Sequence, residues 1–110
     1  LAQLGAHTHG HPMLSVLSRE EQMAEIVRGA TRLQEITGTR PGFVAYPYGG
    51  EQDYNEDSCL AARAAALDAA FVNHARPFDS KRQPYRVPRY YVPPLPADEF
   101  RVWLHRVIDQ

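Results

Sequence analysis

The chain has 110 residues, 44% of them hydrophobic and 23% charged, with a formal net charge of −1. That length suits one small domain or part of a larger one, and the balanced charge excludes whole-molecule attraction to a nucleic acid or an anionic membrane. A single cysteine, Cys59, excludes an internal disulfide scaffold, and no apolar run approaches the roughly 20 residues of a membrane-spanning helix.

The chain opens on Leu1 rather than Met, with no signal-peptide pattern, and reads as a processed protein or a segment excised from a longer one. Residues 1–8 are a short apolar run leading into a histidine cluster, and predict a strand. Ser18 followed by Glu21 is a capping box. Behind it Met23, Ile26, Val27, Ala30, Leu33 and Ile36 recur at helical spacing, and Gly38 and Pro41 stop the helix. Residues 42–46 predict a second strand, ended by Pro47, with a turn at Gly49-Gly50. Asn55 caps a second helix expected to reach Leu67, and residues 69–73 form a third strand. Residues 75–85 read as a loop. Residues 86–92 are extended, with Pro88 restricting them to a sheet edge or an irregular segment. After Pro93, Pro94 and Pro96, a last helix carries Phe100, Trp103, Leu104, Val107 and Ile108 on one face, expected to pack on the sheet.

Strand, helix, strand, helix, strand is the pattern of an α/β fold with mostly parallel strands, here an incomplete sheet or a partial barrel. Chemistry in such folds gathers at the carboxyl ends of the strands. His7-Thr8-His9-Gly10-His11 stands at one such end and holds three of the five histidines. Imidazole is a common zinc ligand, and a catalytic zinc site takes three protein ligands and leaves one position open. On a strand His7 and His9 would share a face, whereas a turn through Gly10 would bring His11 back toward His7. Three surface histidines, or part of a cloned tag, is the plain alternative. Tyr46-Pro47-Tyr48-Gly49 sits at the second strand end; by itself it is an ordinary Pro/Gly turn.

These motifs, in this order, resemble the polysaccharide deacetylase family, the NodB homology domain of carbohydrate esterase family 4. His7-Thr8-His9-Gly10-His11 matches that family's H-[ST]-x-x-H motif, and Tyr46-Pro47-Tyr48-Gly49 its Pro-[Tyr/Phe]-Gly motif. The ALDAAFV stretch and Gln83-Pro84-Tyr85-Arg86-Val87-Pro88-Arg89 fit the segments that follow in one branch. The resemblance implies a partial, distorted (β/α) barrel of the NodB type. It makes residues 1–110 the C-terminal part of one deacetylase domain.

The function it implies is metal-dependent hydrolysis of N-acetyl groups on an N-acetylglucosamine-containing polysaccharide. His7 and His11 would hold a divalent metal, zinc in most members. Thr8 would brace their loop, and no ligand role passes to His9. The backbone N–H of Tyr48 would meet the developing oxyanion, with Tyr46, Pro47 and Tyr48 against the substrate. Two departures stand out. The family's F-D-D motif, which carries the general base and the third ligand, is nowhere in the chain, so the segment by itself is expected to be inactive and to hold metal weakly. Ala45 stands where the family has an Arg before Tyr-Pro, and Arg89 is a candidate substitute. The family's L-x-H acid is also missing. His74, past the third strand, is a candidate for that role, with a surface loop His as the alternative; His105 reads as solvated.

Tyr48 or Tyr90 could line a glycan groove, though strand aromatics more commonly pack a sheet. Lys81, Arg82, Arg86 and Arg89 form a local basic patch too small for a nucleic-acid site. A half-domain would expose a strand edge and apolar surface, which favours self-association. The family implies a secreted or cell-envelope (periplasmic) protein. Two rivals remain: a metal-dependent hydrolase of another non-peptide C–N bond, and a non-catalytic glycan-binding remnant.

Overall fold

The structure is a computed structural model and describes residues 2–81 and 83–109. The expectations touching Leu1 and Arg82 lie outside the described residues. Among the described residues, three helices and two short strands follow one another: α1 (Arg19–Thr37), β1 (Phe43–Ala45), α2 (Glu56–Ala64), β2 (Ala69–Phe71) and α3 (Ala97–Ile108), with single 3-10 turns at Leu14–Val16 and Pro84–Arg86. β1 and β2 run parallel, with Val44 opposite Ala70. Isolated parallel bridges at Ala6–Val44 and Phe71–Val87 flank them. Four extended segments thus lie side by side in chain order, all parallel, as in an arc of a (β/α) barrel.

The expected first strand shrinks to the single bridge at Ala6. Ala6 donates to Phe43 O and accepts from Ala45 N. The next acceptor along, Ala45 O, is taken by His7 Nδ1 at 2.8 Å rather than by backbone. Thr8 then turns away with φ of 66°. A histidine side chain has replaced the next rung of the ladder.

Both predicted caps are present. Ser18 Oγ accepts from Glu21 N, and Glu21 accepts from Ser18 N. Asn55 caps α2 through Asp57 N, and Ser58 returns the bond to Asn55 N. The buried stripe of α1 is rotated from the expected one. Gln22, Ile26 and Gly29 are buried, with Met23, Ala30 and Leu33 packed beside them. Val27 and Ile36 face outward. The stripe runs 22, 26, 29, 33, and two of its members are not apolar, so hydrophobicity alone misplaces it. α2 stops at Ala64 rather than Leu67, because Ala66 adopts φ of 58° and sends Leu67 down into the core.

Gln22 and Ser58 are both fully buried, and join α1 to α2. Ser58 Oγ donates to Gln22 Oε1, while Gln22 Nε2 donates to Asn55 Oδ1 at 3.1 Å and Leu17 O at 3.3 Å. No buried side-chain polar atom among the described residues lacks a partner. Beneath the sheet Val44, Ala70 and Val72 are fully buried, and Tyr46 lies with them, its hydroxyl on Tyr85 O at 3.0 Å. Burial pushes the Tyr46 phenol far above its ordinary value. Cys59 is buried here as expected.

α3 departs from expectation. None of its residues is buried. Phe100 and Trp103 stack on each other, while Val102 and Ile108 stay open to solvent. An apolar stripe specifies a face that can be covered but not what covers it. Among the described residues, no helix is long and apolar enough to cross a membrane.

Two outcomes follow from this packing. Gln22→Ala leaves the Ser58 hydroxyl proton without an acceptor and opens a void, and should cost about 2–3 kcal/mol in urea unfolding. The Tyr46 phenol ionises near 10 when unfolded and well above that when folded. The stability tied to it is complete below pH ~10 and is lost as pH rises further, because the unfolded chain then releases a proton that the folded chain keeps. The urea midpoint should therefore fall above pH ~10, less steeply in Tyr46→Phe.

Candidate functional site

The carboxyl ends of the parallel segments carry His7, the Tyr46-Pro47-Tyr48-Gly49 turn and Asn73. The HTHGH loop reverses direction at once. Thr8 and His11 both take left-handed backbone, φ of 66° and 59°, and Thr8 Oγ1 accepts from His11 N at 3.1 Å. The reversal brings the His11 ring to 4.8 Å from the His7 ring, centroid to centroid. His7 and His9 therefore do not share a strand face, and the alternative of a turn through Gly10 is the one adopted.

The loop sits directly on α1. A Cβ on Gly29 would come 2.5 Å from the carbonyl carbon of Thr8, so only glycine allows this approach. Both histidines remain exposed to solvent. The bond to Ala45 O requires the proton of His7 to sit on Nδ1, which leaves the Nε2 lone pair for a ligand. A backbone carbonyl behind a histidine is the usual support for a metal ligand, so the pair fits a divalent ion with nitrogen affinity. Two imidazoles are one short of a three-ligand set. Among the described residues, no group of three His, Cys, Asp or Glu side chains could hold a metal.

Tyr48 faces this pair. Its ring lies 4.9 Å from that of His11, edge to face, and is half exposed. Its backbone is also left-handed, φ 66°, a strained conformation for a tyrosine. Asn73 holds it there. Asn73 Nδ2 donates to Tyr48 O at 2.6 Å, and Asn73 N donates to Gly49 O at 2.8 Å. A Cβ on Gly49 would meet Asn73 Nδ2 at 2.8 Å, so a side chain there would expel the clasp. Among the described residues, nothing accepts from the Tyr48 N–H.

Arg89 completes the arrangement. Its Nη2 donates to Asn73 Oδ1 at 2.7 Å, its Nε to Val72 O at 3.3 Å, and its guanidinium lies over the Phe71 ring. Arg89, His7, Ala45 and Phe71 line one hollow of about 410 Å³ on the face of the sheet away from α1 and α2.

Other expected site residues are placed elsewhere. Tyr46 and Pro47 are fully buried, so their side chains frame the turn from below and offer no surface to a substrate. His74 is mostly enclosed, Nε2 at 3.0 Å from the Tyr54 hydroxyl and Nδ1 3.6 Å from Glu51. Its ring is thus placed on the Tyr54 side of the turn, with Nε2 bonded to the Tyr54 hydroxyl and Nδ1 near the Glu51 carboxylate without a hydrogen bond. His105 is exposed on α3. Asn73, Glu25 and Gly29 were not singled out by sequence reasoning. A glycine inside an otherwise regular helix is the one signal that pointed to a close approach.

The family model described as polysaccharide deacetylase matches residues 2–70. Comparison with curated proteins finds no sequence match. Among solved structures, the Streptococcus pyogenes deacetylase PplD in complex with acetate superimposes with a TM-score of 0.79 at 19% identity, covering 90% of this chain and 42% of that one. The BpsB deacetylase domain from Bordetella bronchiseptica gives 0.55 at 18% identity, covering 66% of this chain and 26% of that one. The chain thus spans under half the length of each, and at these identities what is shared is the fold, an α/β arrangement with parallel strands.

The clasp on Tyr48 has a direct test. Asn73→Asp keeps an acceptor for Arg89 and removes the donor to Tyr48 O. Losing that bond, worth about 1 kcal/mol, should speed hydrogen exchange at the Gly49 amide by about fivefold or more. Unchanged exchange would show that the turn holds without Asn73.

Proposed function

Because the chain belongs to the polysaccharide deacetylase family, we propose that it carries the histidine half of a metal-dependent site that hydrolyses N-acetyl groups on an N-acetylglucosamine-containing polysaccharide. The observation that carries this reading is the His7–His11 pair, with ring centroids 4.8 Å apart and Nδ1 of His7 anchored on Ala45 O. A divalent metal held by His7 and His11, zinc in most members of the family, would supply Lewis-acid polarisation of the acetyl carbonyl.

The remaining work falls to the chain's own groups. The Tyr48 N–H, offered by a backbone already locked in its left-handed form, donates to the oxygen that gains charge as the acetyl carbon turns tetrahedral. It needs no reorganisation at that moment, because Asn73 and Gly49 set it beforehand. Arg89 holds Asn73 from behind and thereby stiffens the turn. The Tyr48 ring beside His11 offers an apolar face to the acetyl methyl or the sugar ring. The third ligand and the general base are assigned to two carboxylates outside residues 1–110. A polymer substrate of this kind puts the working enzyme at the cell envelope or outside the cell.

Zinc titration by calorimetry tests the reading. One-to-one uptake by the chain, weak for want of the third ligand and abolished in His7→Ala/His11→Ala, is expected; no uptake by the unaltered chain and none by a longer chain that carries the missing carboxylates would overturn the metal assignment. Incubated with a chitin oligomer, the chain alone is expected to release no acetate, and release would overturn the placement of the base in other sequence.

A further inference from the structure

Building on the reading of His7 and His11 as metal ligands, we propose that Glu25 is a positioning residue for that pair, its carboxylate clamping the loop that sets one imidazole against the other. Glu25 Oε2 accepts from Gly10 N at 2.8 Å and from His9 N at 3.1 Å. The same His9 N–H also reaches the backbone carbonyl of Glu25 at 3.1 Å. These are the two amides at the apex of the reversal between the histidines. One carboxylate oxygen thus satisfies both apex amides.

The loop needs such an anchor. Its route into the sheet is closed, because His7 Nδ1 occupies Ala45 O. Two of its residues, Thr8 and His11, sit in left-handed backbone that costs about 1 kcal/mol or more each. Among the described residues, no other side chain from outside the loop bonds to its backbone. One helical turn on from Glu25, Gly29 clears the space in which Thr8 rests. Glu25 pulls the apex down while Gly29 lets the base of the loop close in, and the His11 ring is carried to the His7 ring as a result. Glu25 is not a third ligand, since it joins no group of three ligating side chains. It acts through the backbone of residues that flank His11.

Zinc calorimetry on the chain and three variants, with thermal melts beside each, separates the outcomes. Glu25→Gln keeps an acceptor oxygen in place and should bind zinc within about threefold of the unaltered chain. Glu25→Ala removes the clamp and should weaken zinc by about 10- to 100-fold, the usual cost of losing a group that orients a ligand. Glu25→Asp keeps the charge but draws the oxygens back by one methylene, and should also weaken zinc about tenfold or more. Should Glu25→Ala fail to fold, the contrast between Gln and Asp decides. Equal affinity in Gln, Asp and the unaltered chain overturns the clamp while leaving the metal site intact. No zinc uptake by the unaltered chain and none by a longer chain that carries the missing carboxylates overturns the metal reading, and the clamp's role in it with it.

Discussion

The register of one row of the sheet governs everything above it. Ala6, Val44 and Ala70 stand opposite one another, all turned toward the helices and all buried. Side chains in a strand alternate, so a slip of one residue would turn this row outward and bring the next one in. With the row set, His7 lies level with Ala45, and its Nδ1 meets Ala45 O. Tyr46 falls into the core, Pro47 ends β1, and Tyr48 emerges at the rim. Asn73 arrives beside it from β2. The site consists of what each extended segment does just after its last paired residue.

What it does is uncommon for side-chain-bearing residues. Of the four non-glycine residues with positive φ among those described, three are Thr8, His11 and Tyr48. Each would relax if released. They are held by contacts that leave no alternative: the backbone of Thr8 pressed on Gly29, the Thr8 hydroxyl on His11 N, and the Asn73 amide on Tyr48 O. Strain gathered at one point and paid for by surrounding hydrogen bonds is the mark of a preorganised site. The fully satisfied Gln22–Ser58–Asn55 network makes the helical support under it rigid.

Much of this could be read in advance wherever the signal was local. Both helix caps depend on side chains three residues apart, and both formed as read. The histidine loop and the Pro-Tyr-Gly turn could be placed at strand ends because Gly and Pro punctuate the chain there. Where the deciding contact lay across the fold, the reading failed. The rotation of α1 follows from Gln22 meeting Ser58 and Gly29 meeting Thr8, at sequence separations of 36 and 21 residues. Nothing near Asn73 marked it as the clasp of a turn 25 residues earlier. Burial of Tyr46 and enclosure of His74 by Tyr54 were likewise beyond local pattern.

The sequence by itself therefore determined the order of the three helices and of the two strands between them, the parallel α/β class, and which short motifs could carry chemistry. Each of these rests on periodicity, capping or turn residues, which act over a few positions. Only the tertiary structure decided that His11 folds back onto His7, that a side chain replaces the first strand's next rung, that Glu25 and Asn73 hold the two loops, and that no residue of α3 is fully buried. These depend on which surfaces meet. Meeting is set by packing between segments far apart in the chain, where a single absent methyl at Gly29 counts for as much as a whole hydrophobic stripe.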